Sequence, residues 1–258
     1  MDPSLTLGPT AQDTFRAFVD RASSDPAVVG LILSGSSARE GMATARSDYD
    51  VYVMVDDAAS TELSRLDGFR SAHLDLSVFP LAELRTHAMP GGTEEYNRYS
   101  FVGAQVLLDR RDGLIAELVA QKAALSPQEA RDTVRAYLDA YVNSLYRSLK
   151  SDRDGRPGAA RLDAAESLPF LLKVVFALHG RVCPYNKYLQ WELETRPLGA
   201  PQWAADAFLP RLHRILDDAD PDTQRAAFAD AELAARAAGH HAVLDAWGAE
   251  LELLRLRS

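Results

Sequence analysis

Asp48 and Asp50 flank Tyr49 in the run Ser47-Asp48-Tyr49-Asp50-Val51-Tyr52-Val53-Met54-Val55, which has the β-branched, aromatic character of a strand. Side chains alternate across a strand, so Asp48 and Asp50 share a face with Tyr52 and Met54, while Tyr49, Val51, Val53 and Val55 take the other. Two carboxylates on one face repel each other unless a cation or a proton intervenes. Magnesium, which takes hard oxygen ligands from one or two carboxylates and from substrate phosphates, suits such a pair. A third acid, Asp75, lies in His73-Leu74-Asp75-Leu76-Ser77-Val78-Phe79, opposite the apolar face of Leu74, Leu76 and Val78. If that strand pairs beside the first, three carboxylates can hold two magnesium ions, one at an acceptor hydroxyl and one at the phosphates and leaving group. In-line transfer of a phosphoryl-type group needs little beyond such positioning and charge neutralisation.

The other half of the chemistry is a turn. Ser34-Gly35-Ser36-Ser37 follows the apolar run Val28 to Leu33, read as a buried strand, and precedes a short helix ending near Gly41. Glycine lets a backbone approach phosphate closely, and Ser36 with free N–H groups at a helix start can hold phosphate oxygens. Arg39, one turn further, is a candidate cation for the same phosphates.

The elements around these residues fall into two regions. Asp13 to Ala22 reads as an amphipathic helix, with strands expected at 28–33, 49–55, 73–79 and 101–108 and a short helix at 81–87. After Asp112 no strand pattern returns. Ser126-Pro127-Gln128-Glu129 is a helix start with a capping box, followed by one apolar stripe from Val134 to Leu149. A loop is expected over 151–158, then a helix over 159–178 that Pro169 should kink or divide. At least three more helices follow, one opened by Asp220-Pro221. The expected division is 1–112 and 113–258, an α+β chain with strands first and helices after.

Gly35-Ser36, eleven residues, Asp48-Tyr49-Asp50 on a strand, then Asp75 on the next, resembles the DNA polymerase beta-like nucleotidyltransferase superfamily. With its helical second half the chain is similar to the branch that contains antibiotic nucleotidyltransferases of the aminoglycoside and lincosamide kinds. The resemblance over about 28–108 implies a catalytic domain with a mixed β-sheet flanked by helices. A looser one over about 126–194, through Pro184-Tyr185-Asn186-Lys187-Tyr188-Leu189 and the helix carrying Glu166, implies a C-terminal helical bundle. It further implies that Asp48 and Asp50 bind both magnesium ions, that Asp75 completes the metal site, and that Ser36 contacts the triphosphate of ATP or another nucleoside triphosphate. A helical-domain carboxylate serves as general base in some members; Glu166 is the candidate here. Lys187 is the candidate triphosphate contact from that domain, with Lys173 as its rival. Against these stand plainer expectations: Glu166 paired with Arg161 or Lys173, Lys187 an exposed helix-start lysine, Arg39 paired with a surface acid.

The expected reaction is transfer of a nucleoside monophosphate, AMP from ATP, to a hydroxyl of a small molecule such as an aminoglycoside-like antibiotic, with release of pyrophosphate. A protein or tRNA acceptor is the alternative, as is a non-catalytic, antitoxin-like protein on the same fold. A formal net charge of −9 over 258 residues argues against broad nucleic-acid binding. The longest apolar run, Leu168 to Leu178, contains Pro169 and Lys173 and is too short to span a bilayer. One cysteine, Cys183, and no basic-then-apolar leader lead to the expectation of a cytoplasmic protein, monomer or homodimer.

Overall fold

The computed structural model describes residues 8–255. The chain is α+β: a four-stranded mixed sheet lies in its N-terminal half and helices make up the rest. It divides into two compact units, Met1–Ala124 and Leu125–Ser258.

In the first unit, helix α1 (Ala11–Ser24) precedes β1 (Val28–Ser34), β2 (Tyr49–Val55), β3 (Leu74–Pro80), α2 (Leu81–Thr86), β4 (Gln105–Asp109) and α3 (Leu114–Ala123). The sheet order is β3-β2-β1-β4. β1 pairs antiparallel with both β2 and β4, and β2 pairs parallel with β3. Every residue of β1 is buried, as its unbroken apolar run requires of a strand covered on both faces. Leu31, Leu33, Val51, Val53, Leu74, Leu76 and Val78 pack on one side with Phe18 and Ala22 of α1. On the other side Ile32, Tyr52, Met54 and Phe79 meet Leu81 and Leu84 of α2, Phe101, and Ile115 and Leu118 of α3.

The strand expected over 101–108 is shorter. Glu95–Phe101 forms a 3-10 helix, and the ladder begins only at Gln105. Ahead of it the chain is turned: the Tyr99 and Phe101 carbonyls accept from the Val102 and Ala104 N–H groups at 3.0 and 3.2 Å, and the Arg39 guanidinium holds the Tyr99 and Val102 carbonyls at 3.1 and 2.5 Å.

The second unit holds α4 (Pro127–Arg153), α5 (Pro157–Leu178), α6 (Leu189–Thr195), α7 (Ala205–Asp218), α8 (Pro221–Ala237) and α9 (His241–Asp245). The capping box at Ser126 and Glu129 is formed in full, and Asp220 caps α8 through the Thr223 N–H. The link between α4 and α5 is shorter than the loop expected over 151–158, because both helices run into it. α5 is not divided at Pro169; the proline stays inside the helix. One apolar core joins Val134, Leu138, Tyr141 and Leu145 of α4 to Leu171, Val175 and Phe176 of α5, with Trp203, Phe208 and Phe228. Trp203 lies edge-on to Phe208 at 5.0 Å, so it serves packing. Burial pushes the Cys183 thiol up to about 12, against the opposing pull of Lys173, which leaves it an inert packing residue. No described helix is long and apolar enough to cross a membrane.

Lys122 is fully buried behind the sheet. Its ammonium donates to the His87 carbonyl at 2.7 Å and lies 5.6 Å from the Phe101 ring centroid. Burial, reinforced by nearby Arg98, pushes its pKa down from 10.5 to about 8. The folded chain therefore holds this proton less tightly than the unfolded one, so stability from this group rises between about pH 8 and 10.5. In chemical denaturation across that window, Lys122→Met should lack the rise that the wild type shows.

Candidate active site

Register builds the site. Ser34 of β1 stands opposite Asp50 of β2, and Asp50 stands opposite Asp75 of β3. Ser34, Asp50 and Asp75 thus form one row across three strands. The next rows on the same face, Ile32-Tyr52-Ser77 and Gly30-Met54-Phe79, turn progressively apolar. This face is sealed by packing at one end and carboxylate-bearing at the other.

Gly35 follows directly from the row. Its backbone, at φ 70° and ψ −159°, lies in a region essentially restricted to glycine. A Cβ there would sit 1.8 Å from Oδ2 of Asp50. The Asp50 carboxylate therefore lies directly over the Gly35 backbone, and both conformation and space demand glycine.

The turn after Gly35 is tied down from several sides. The expected short helix is a single 3-10 turn, Ser36–Ala38. The Ser36 hydroxyl is buried and donates to the Ser47 hydroxyl at 3.1 Å, and Ser37 donates to the Asp48 carbonyl at 2.6 Å. These two bonds fasten the turn to the segment that delivers Asp48. Arg39, only 4% exposed, donates to the Gly35, Tyr99 and Val102 carbonyls and lies 5.1 Å from the Tyr99 ring centroid. It is an internal tie for the turn in this structure, where the sequence suggested either a phosphate contact or a surface ion pair. Gln105 adds a bond to the Ala38 carbonyl at 2.8 Å.

The acids feel one another. Burial raises the Asp75 pKa, Arg70 works against that, and Asp48 adds to the rise. Arg70 Nε lies 3.3 Å from Asp75 Oδ2, but its side chain is 81% exposed, and such a pair is worth at most about 1 kcal/mol. Burial and the Asp48 charge therefore outweigh it. Tyr52, two residues beyond Asp50 on the same face, has its pKa raised first by burial and then by Asp50, Asp75 and Tyr96, against the hydrogen bond to Ser100 at 3.0 Å.

Among the described residues no set of three or more His, Cys, Asp or Glu side chains is gathered closely enough to hold a metal by itself. The donor set nonetheless fits magnesium, which needs only one or two carboxylates when substrate phosphates and waters complete its shell. Asp50 and Asp75 face each other across a parallel strand pair, and both carry hard oxygen.

The second-unit candidates have their own partners. Glu166 on α5 receives Arg147 Nη2 at 2.8 Å and the Ser144 hydroxyl at 3.3 Å, both from α4. The pairing expected with Arg161 or Lys173 does not form, because offsets of five and seven residues do not bring helix side chains together as three or four do. Lys187 is exposed, with Nζ 5.2 Å from the Tyr188 ring centroid; Lys173 Nζ lies 4.0 Å from that of Tyr137. Four residues that hold or touch the site carried little or no signal in the sequence. Tyr52 is placed by alternation alone, whereas Arg70 reaches Asp75, Ser100 reaches Tyr52 from the 3-10 helix, and Gln105 reaches the Ala38 carbonyl from β4, along a course only the fold defines.

No family model matches the chain, and no curated protein matches it. Among solved structures, a nucleotidyltransferase-like protein from Exiguobacterium sibiricum 255-15 is similar with a TM-score of 0.43 at 13% identity, over 95% of this chain and 78% of that one.

Two outcomes test the geometry. Gly35→Ala should cost about 1–3 kcal/mol in denaturant unfolding, the usual cost of forcing a non-glycine residue into this backbone region. Asp75→Asn should raise the melting temperature at neutral pH without divalent cations. A carboxyl whose folded pKa is raised stabilises the fold below its ordinary 3.8 and loses that contribution as pH climbs through the raised value. The gap between wild type and variant should therefore close as the pH falls towards 3.8.

Proposed function

We propose that the first unit is the catalytic half of a magnesium-dependent nucleotidyltransferase, moving a nucleoside monophosphate from a nucleoside triphosphate to an acceptor hydroxyl. The observation that carries the reading is the Asp50–Asp75 register pair, with the Asp48 charge acting on Asp75 and the Gly35 backbone directly against Asp50. Asp48, Asp50 and Asp75 are assigned to hold magnesium, which when bound would neutralise phosphate charge and lower the pKa of a coordinated hydroxyl. The chain's own part is positional. β2 and β3 hold the Asp50 and Asp75 carboxylates side by side, Asp48 stands just before β2, and the Ser36–Ser47 and Ser37–Asp48 bonds fix the turn beside them. Ser36 and Arg39 are both bonded inside the fold, and the Asp50 carboxylate lies against Gly35, so magnesium held by the acids is the proposed bridge between this turn and the phosphates. ATP is the proposed donor and a small hydroxylated molecule of the aminoglycoside or lincosamide type the proposed acceptor, on the resemblance of the acid motif and the helical second half. The base is left unassigned, since Glu166 is engaged by Arg147 and Ser144.

The test combines purified protein, magnesium, a labelled mixture of nucleoside triphosphates and a panel of hydroxyl-rich antibiotics. The expected result is pyrophosphate release together with an acceptor heavier by one nucleoside monophosphate. Asp48→Asn and Asp50→Asn should each cut the rate by roughly 10²–10³-fold, the scale on which loss of one charge-stabilising group is felt. Triphosphate binding without turnover would move the acceptor to a protein or tRNA end. Absence of any magnesium-dependent triphosphate binding would overturn the reading and favour a non-catalytic, antitoxin-like role.

A further inference from the structure

We infer that the helical unit carries a ligand site of its own, a cleft among α5, α6 and α7 that takes a small organic amine with an apolar body. Two adjoining cavities make the cleft, of about 440 and 510 Å3, each within the roughly 300–1,000 Å3 of small-molecule sites. They share Gln190, Leu209 and His213, so they adjoin along one wall. The first has a floor of Leu168, Leu172, Leu189 and Leu212, with Lys187 at its edge. The second is lined by Leu193, Ala205 and Pro210, with Glu194 and Asp206 as its charged groups.

Two features give the cleft polarity. Charge is separated along it: a lone ammonium at the leucine-lined end and two carboxylates at the other. Gln190 donates to Glu194 at 2.8 Å and so orients that carboxylate. Two of the helices lining the cleft also contain an internal proline, Pro169 in α5 and Pro210 in α7, and both prolines lie on its walls. Proline has no N–H to return to the carbonyl four residues back. Those carbonyls belong to Ala165 and Asp206, which line the same two cavities. The cleft therefore combines an apolar floor with two carboxylates. That set matches a hydrogen-bond-donating cation with a hydrocarbon tail. Lys187 fixes the direction, with the tail over the leucines and the ammonium towards Glu194 and Asp206.

Calorimetric titration of the full chain with octylammonium and, separately, octanoate tests this. Saturable binding of one octylammonium per chain is expected, with octanoate weaker by about tenfold or more, a difference of 1.4 kcal/mol. The double variant Glu194→Gln/Asp206→Asn changes two exposed side chains and should fold normally, while losing octylammonium affinity by about fivefold to tenfold. Leu209→Trp, at the junction of the cavities, should abolish binding of both probes. Lack of saturable octylammonium binding, equal affinity for octanoate, or wild-type affinity in the double variant would each overturn the assignment. None of these readouts needs triphosphate or magnesium, so they stand apart from the reaction proposed for the first unit.

Discussion

The first unit depends on how one buried cation is hydrogen-bonded. Arg39 is almost wholly removed from water, and an isolated charge there would be costly unless its donors were used. Nη1 and Nη2 donate to the carbonyls of Gly35, Tyr99 and Val102, which lie far apart in sequence. The turn after β1 and the chain leading into β4 are thereby locked together. Several consequences share that cause: the 3-10 course of residues 95–101, the late start of β4, and the fixed backbone of Gly35 beneath Asp50.

Upon that frame the sheet sets a second constraint, repulsion held in place. Holding Asp75 partly buried, with the Asp48 charge close by, works against the fold, and the raised pKa of Asp75 records the cost, burial first. Folding tolerates this because the same strands bury Leu31, Val51, Val53, Leu74 and Leu76 on their other face, and the apolar contribution of each such side chain, about 1.5–3 kcal/mol, outweighs the penalty. An arrangement that the fold opposes locally and sustains globally is the kind found where chemistry is done.

Much of this could be read from the chain. Alternation in 49–55 and 74–79 placed the acids on one face, and Ser126-Pro127 and Asp220-Pro221 marked helix starts that the structure forms. These are local signals, carried within a few residues. What could not be read is long in range. Nothing near Arg39 announces that its partners are the carbonyls of Tyr99 and Val102, and nothing near Glu166 points to Arg147 on another helix. The run at 101–108 has strand composition throughout, yet its first residues are claimed by a guanidinium from elsewhere. Pro169 marks a break by every local rule, but packing of α5 against α4 keeps the helix whole.

The separate cores of the two units carry a consequence for descent. Substitutions that reshape the leucine-lined wall of the helical half perturb a core that shares no residue with the sheet. A lineage can thus try new side chains along α5, α6 and α7 while leaving the carboxylate row untouched. Drift in one half and constancy in the other can be inherited together in a single polypeptide.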